Sequence, residues 1–97
     1  MNMKLKDILN GIPVLEMTAD PELEIGNVYY DSRKVTENSL FVAISGFASD
    51  GNRFIPMAFS KGAVAVVTAK KPEGDVPYIL VESDRLAREM VRTLSQS

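Results

Sequence analysis

The sequence predicts an α/β domain in which helices pack on a sheet, and three observations carry that expectation. Short apolar runs rich in strand formers, Leu40 to Ile44, Ala63 to Val67 and Tyr78 to Val81, are separated by turn residues. Between and beside them lie stretches whose apolar residues recur at helical spacing. The runs are continuously apolar, as in AVAVV, which is the pattern of strands buried on both faces. In the second half strands and helices alternate, the order of an α/β sheet.

The elements follow in chain order. Leu5, Ile8 and Leu9 recur at i, i+3, i+4 and predict a short helix ending at Asn10-Gly11. Thr18 to Leu23 contains Asp20-Pro21 and reads as a turn-rich link. Val28 and Tyr30 alternate within a predicted strand from Ile25 to Tyr30. Asp31 to Ser39 is polar and without period, a loop. LFVAI, Leu40 to Ile44, is the next strand, and Ser45 to Asn52, holding Gly46 and Gly51, is a second loop. Phe54, Ile55, Ala58 and Phe59 predict a helix that Gly62 stops. The strands Ala63 to Val67 and Tyr78 to Val81 flank a turn containing Pro72 and Gly74. Asp84 is placed to cap a last helix in which Leu86, Met90, Val91 and Leu94 share a face. That helix reaches Ser97 without a glycine stop, as an element cut from a longer chain would.

Composition limits the chemistry. Ninety-seven residues make one domain, and 45% hydrophobic with 25% charged content is an ordinary globular mix. The net charge of −2, from 11 basic and 13 acidic residues, argues against a nucleic-acid binder. With no cysteine and no histidine, disulfides, thiolate catalysis, the usual zinc sites and a histidine general base are excluded. The apolar stretch near the N-terminus is too short for a signal segment, and no run approaches a membrane span. The expected setting is a reducing cytoplasm, with no membrane partner. The five methionines are scattered and read as core filler or exposed surface.

Two polar loops follow predicted strands, and in open α/β sheets ligands settle at the carboxyl ends of strands. The first is Tyr30-Asp31-Ser32-Arg33-Lys34; the second runs Gly46-Phe47-Ala48-Ser49-Asp50-Gly51-Asn52. Ser32 offers a hydroxyl to a phosphate or carbonyl, Arg33 and Lys34 offer positive charge, and Phe47 offers a face for a flat base. Plainer uses are open to the same residues. Asp31 and Ser32 are common turn formers, Arg33 can pair with Asp31, and Asp50 or Asn52 can cap the helix that follows. Glu82 and Asp84, either side of Ser83, read as first-turn helix charges and not as a catalytic pair. Neither G-x-x-x-x-G-K-[ST] nor G-x-G-x-x-G occurs, so an ATP-dependent reaction has no visible seat.

The stretch DSRKVTENSLFVAISGFASDGNRFIPMAFSKGAVAVV, Asp31 to Val67, and the later VPYILVESDRLA, Val76 to Ala87, resemble the opening domain of the Mur ligases. Within that family they most resemble the UDP-N-acetylmuramyl-tripeptide synthetases. The features shared are a DSR-x-V turn, an LFVA strand, a G-x-x-x-DG loop, an F-I-x-x-A helix and a KGAVAVV strand, kept in order across most of the chain. The resemblance implies a small three-layer domain with a mixed, mostly parallel sheet of about four to five strands and helices packed on it. It implies that residues 1–97 form the UDP-substrate-binding N-terminal domain of a cytoplasmic ligase active in peptidoglycan synthesis. ATP and Mg2+ would belong to the central domain of the parent, and the amino-acid pocket to its C-terminal domain. This chain alone would hold no cofactor and would be inactive, with UDP-MurNAc-L-Ala-D-Glu and the other two domains as its partners.

By the same resemblance Ser32 and Tyr30 match UDP-contacting positions, and Phe47, Ala48 and Ser49 match the loop lining the nucleotide. Asp31, Arg33 and Asp50 would support them. The family often places a polar residue or histidine where Phe47 stands, which leaves stacking or a backbone contact there. Upstream of the LFVA strand, the family's Pro-Gly-Asp is Glu37-Asn38-Ser39. Asn is the next best residue at positive φ, so the turn is expected to survive, with Ser39 forming a local side-chain turn. Two other readings remain open: the sister ligase adding D-Ala-D-Ala, and a free-standing, non-catalytic nucleotide- or protein-binding module.

Overall fold

The protein is represented by a computed structural model that describes residues 3–43, 54–72, 74–83, 85–87 and 89. Strand β1 (Met3–Lys4) leads into helix α1 (Leu5–Ile8), followed by β2 (Val14–Met17), β3 (Glu24–Ile25) and β4 (Asn27–Tyr29). A 3-10 turn (Ser32–Lys34) precedes β5 (Ser39–Ala43), then come α2 (Ile55–Ser60), β6 (Ala63–Thr68) and β7 (Tyr78–Val81). Residues 85–87 are helical again. Five strands form one sheet in the order β2-β7-β6-β5-β4, while β1 and β3 form a separate antiparallel pair. Strands β4 to β7 are mutually parallel, and β2 closes the β7 edge antiparallel.

The continuous apolar runs are explained by a sheet covered on both sides. Successive side chains of a strand point to opposite faces. Leu40, Val42, Ala65, Val67, Ile79 and Val81 pack on one face with Leu5, Ile8 and Leu9 of the α1 segment and with Ala87. Phe41, Ala43, Val66 and Tyr78 pack on the other with Ile55 and Ala58 of α2 and with Val35. The result is the expected three-layer α/β arrangement with a mixed, mostly parallel five-stranded sheet. Burying side chains of this size contributes about 1.5–3 kcal/mol each, so the central strands are the main source of cohesion.

Several boundaries differ from the sequence reading. The single strand expected from Ile25 to Tyr30 is two, β3 and β4, separated at Gly26. The expected Asp31 to Ser39 loop contains the 3-10 turn, and Ser39 already belongs to β5. Strand β2 was not expected. It is short and mostly exposed, with Leu15 at 62% accessibility, so it carries no inward-outward signal. It exists through pairing with β7 and through Thr18, whose Oγ1 accepts the Tyr78 N–H at 3.0 Å. The predicted cap Asp84 and the apolar positions Met90, Val91 and Leu94 lie outside the described residues.

The Glu37-Asn38-Ser39 turn survives as the residue types predicted. Asn38 has φ +60°, and the Thr36 N–H donates to Ser39 Oγ at 3.2 Å. The Asn38 N–H donates to the Gly62 carbonyl at 3.1 Å, and the Gly26 N–H to the Asn38 carbonyl at 2.8 Å. Gly62, with φ +119°, ends α2 against this turn. A Cβ there would sit 2.6 Å from Glu37 Cα and 2.9 Å from the Thr36 carbonyl oxygen, both backbone atoms. Position 62 thus requires glycine for its conformation and for its space.

Two substitutions measure this junction by urea denaturation. Gly62→Ala is expected to lower stability by about 2 kcal/mol or more, because neither the backbone angle nor the neighbouring chain can yield cheaply. Asn38→Ala should cost about 1 kcal/mol, the ordinary penalty of an L-residue in the left-handed region, while Asn38→Gly stays within about 0.5 kcal/mol of the parent.

Candidate functional site at the carboxyl edge of the sheet

Because β4 to β7 are parallel, their carboxyl ends share one edge of the sheet. The chain leaves β4 there as Tyr30-Asp31-Ser32-Arg33-Lys34, and this turn is built by its own polar groups. Asp31 is extended (φ −105°, ψ 113°) and caps the 3-10 turn, its Oδ1 accepting the Arg33 N–H at 3.0 Å. The Lys34 N–H closes the turn on the Asp31 carbonyl at 3.0 Å. Val35, 5% exposed, then anchors the exit in the core beneath α2. An aspartate accepting a backbone N–H two residues on is the usual way such a turn is set.

The charges of the turn are largely spent on each other. Arg33 grips Asp31 with two parallel contacts, Nε to Oδ1 at 3.1 Å and Nη2 to Oδ2 at 2.9 Å. This was one of the two uses of Arg33 that the sequence left open. The side-chain hydrogen bonds from Arg33, and then its backbone N–H, hold the Asp31 carboxyl down at about 2, with burial opposing them. Arg33 is pushed up by the same partner. Lys34 is exposed and forms no ion pair among the described residues. A ligand phosphate approaching the turn therefore meets a compensated pair plus the ammonium groups of Lys34 and Lys61, the latter on the Arg33 carbonyl.

Ser32 sits deeper than a surface turn residue. It is 6% exposed, and its hydroxyl donates to the Met57 thioether on α2 at 3.6 Å. Lys61, at the end of the same helix, donates from Nζ to the Arg33 carbonyl at 3.1 Å. Met57 and Lys61 are four residues apart, so they share the α2 face turned to the 3-10 turn. Neither was picked out as a site residue from the sequence. Their i, i+4 spacing was visible, but nothing local said that this face would meet Ser32. Tyr30 is 55% exposed beside the turn. Phe47, Ala48, Ser49 and Asp50 lie outside the described residues.

At the same edge Thr68 closes β6 with its Oγ1 donating to the Lys70 carbonyl at 2.8 Å and accepting the Lys70 N–H at 3.1 Å. Among the described residues no three His, Cys, Asp or Glu side chains come together as metal ligands, and no helix is long and apolar enough to cross a membrane.

The Asp31–Arg33 pair makes a pH prediction. A carboxyl whose folded pKa is depressed contributes stability above its unfolded value, near 4, and loses it as pH falls towards about 2. Carboxyl 13C NMR should find Asp31 titrating near pH 2, and Arg33→Ala should raise it towards the ordinary aspartate range, short of it because the backbone N–H of residue 33 still donates to the carboxylate.

Comparison with known proteins places this edge in a family. The profile of the "Mur ligase family, catalytic domain" matches residues 24–93, from β3 through the whole parallel sheet. A UDP-N-acetylmuramoyl-L-alanyl-D-glutamate–2,6-diaminopimelate ligase of Alkaliphilus metalliredigens is 46% identical over 85 residues, 86% of this chain and 17% of that protein. The MurF structure from Acinetobacter baumannii superposes with TM-score 0.80 at 17% identity, over 94% of this chain and 20% of that one, which is a likeness of fold. The MurF ligase of Thermotoga maritima, solved with ADP, gives TM-score 0.55 at 33% identity over 69% of this chain and 17% of that one. The chain thus spans about a fifth of the length of the proteins it matches. With the profile covering the parallel sheet and the turn at its carboxyl edge, the chain belongs to the Mur ligase family.

Proposed function

We propose that this chain is the N-terminal domain that grips the UDP end of UDP-MurNAc-L-Ala-D-Glu in a ligase adding the third amino acid of the peptidoglycan stem. The observation that carries the reading is the self-built Tyr30–Lys34 turn at the carboxyl edge, within a sequence 46% identical to a ligase of that description. The relatives' names supply 2,6-diaminopimelate as the amino acid. In this reading the Ser32 hydroxyl donates to a phosphate or uracil oxygen, Tyr30 and Phe47 offer ring faces, and Ala48 and Ser49 line the nucleotide. Asp31 and Arg33 hold the turn in shape, and Asp50 supports the second loop. Binding so far from the reacting carboxylate helps orient it.

The other domains of the parent are the partners of this one, and the cytoplasm, where nucleotide-linked substrates and ATP are found, is its setting. ATP and Mg2+ act in the parent. The residues described here offer them neither a phosphate loop nor a carboxylate cluster, so no step through them is assigned to this chain. The sister ligase adding D-Ala-D-Ala is the second reading, favoured by the likeness to MurF structures. The higher identity over more of the chain favours the diaminopimelate ligase, at 46% over 86% against 33% over 69%.

Titration of UDP into the 15N-labelled chain tests the site. Amides of Ser32 and of residues 47–49 should shift at millimolar UDP. Ser32→Ala should weaken binding about tenfold, the worth of one hydrogen bond to a charged group. Absence of shifts, or shifts confined to the opposite edge of the sheet, would defeat the assignment.

A further inference from the structure

We propose that Met57 is a displaceable cover over the Ser32 hydroxyl, controlling access to the one donor that the nucleotide reading places at the centre of the site. The inference rests on that reading for the identity of the visitor, but its geometry stands independently. Ser32 is 94% buried, yet its hydroxyl partner is a thioether, a weak acceptor. A buried hydroxyl without any partner would carry a desolvation penalty, so the sulfur serves as the holding acceptor. Met57 itself is 43% exposed, on a residue type with three rotatable bonds and little shape preference. The cover can therefore swing outward without disturbing the core beneath it, where Ile55 and Ala58 hold α2 in place.

The neighbourhood points the same way. Among the described residues the exposed large apolar side chains are Met3, Leu15, Met17, Tyr30 and Met57. Two of these belong to the Ser32 turn, Met57 by contact and Tyr30 two residues along the chain. The remaining constraints on the turn leave the hydroxyl as its adjustable part. The Asp31 carboxylate is committed to Arg33, and the Arg33 carbonyl to Lys61. An anionic oxygen arriving at Ser32 would exchange a weak O–H···S contact for a charge-assisted hydrogen bond, and that difference is what lifts the cover.

The chain contains no cysteine, so Ser32→Cys creates a single thiol whose alkylation by iodoacetamide reports access to this atom alone. With Met57 in place labelling should be slow. In the S32C/M57A double variant it should accelerate about tenfold or more, while S32C/M57L, which keeps the bulk, should remain slow. Unchanged far-UV circular dichroism and thermal midpoint establish that the comparison is made on folded protein. Fast labelling of S32C itself, or equal rates for M57A and M57L, would overturn the proposal. UDP binding is scored separately, by amide shifts on UDP titration of the M57A single variant, in which the Ser32 hydroxyl is intact. If the rate ratio holds but UDP shifts neither Ser32 nor its neighbours in M57A, the cover stands and the nucleotide reading falls.

Discussion

The close approach of Gly62 to the backbone of Thr36 and Glu37 is the constraint on which the arrangement of the site depends. The chain leaving α2 and the chain entering β5 occupy neighbouring space, with no room for a Cβ between them. Hydrogen bonds from Asn38 to Gly62 and from Gly26 to Asn38 tie that point to the starts of β4, β5 and β6. The segment from Tyr30 to Asn38 crosses from the carboxyl edge of the sheet back to the amino edge, and α2 makes the same crossing after β5. Three contacts set one against the other: Ser32 on Met57, Arg33 on Lys61, and Glu37 on Gly62. Fixing the last of these fixes where Ser32 meets the helix.

Within that frame the turn is made rigid by spending its charges locally. Asp31 is at once the cap of the 3-10 turn and the partner of the Arg33 guanidinium, so a single carboxylate fixes both the backbone and the arginine. A bidentate contact of this kind is directional, and an exposed one contributes little to global stability. Its effect is to hold a shape. Around the turn lie a neutral hydroxyl, the ammonium groups of Lys34 and Lys61, and exposed apolar surface from Tyr30 and Met57. In the proposed reading these would meet the anionic and the flat organic parts of one ligand.

The core was legible because its physics is local. Leu40 to Ala43, Ala63 to Val67 and Tyr78 to Val81 are apolar at every position, and their shortness and flanking turn residues make that the pattern of a sheet covered on both faces. The helix-ending Gly62 was legible from residue type, whereas the left-handed turn at Asn38 was expected because the family pattern places glycine there and Asn tolerates the same conformation. Strand β2 was not, because its residues are mostly exposed and its strand character comes from β7, more than sixty residues away. The division of Ile25 to Tyr30 at Gly26 was hidden likewise, for β3 owes its existence to Met3 and Lys4.

Apolar runs and motifs held in order were sufficient for the layer architecture, the turn that ends β4 and the ligase family. Residue type and a place after a strand were enough to nominate Ser32. What Ser32 and Arg33 do in the folded chain came from packing between distant segments. Arg33 had two chemically sensible uses, and the geometry of the turn selects Asp31. Ser32 reads as an open turn hydroxyl, and the fold buries it with its O–H donating to the Met57 thioether on α2. The physical reason is common to both. Residue type states which bonds a side chain can make, but choosing among them depends on which distant segment the fold brings within hydrogen-bonding distance.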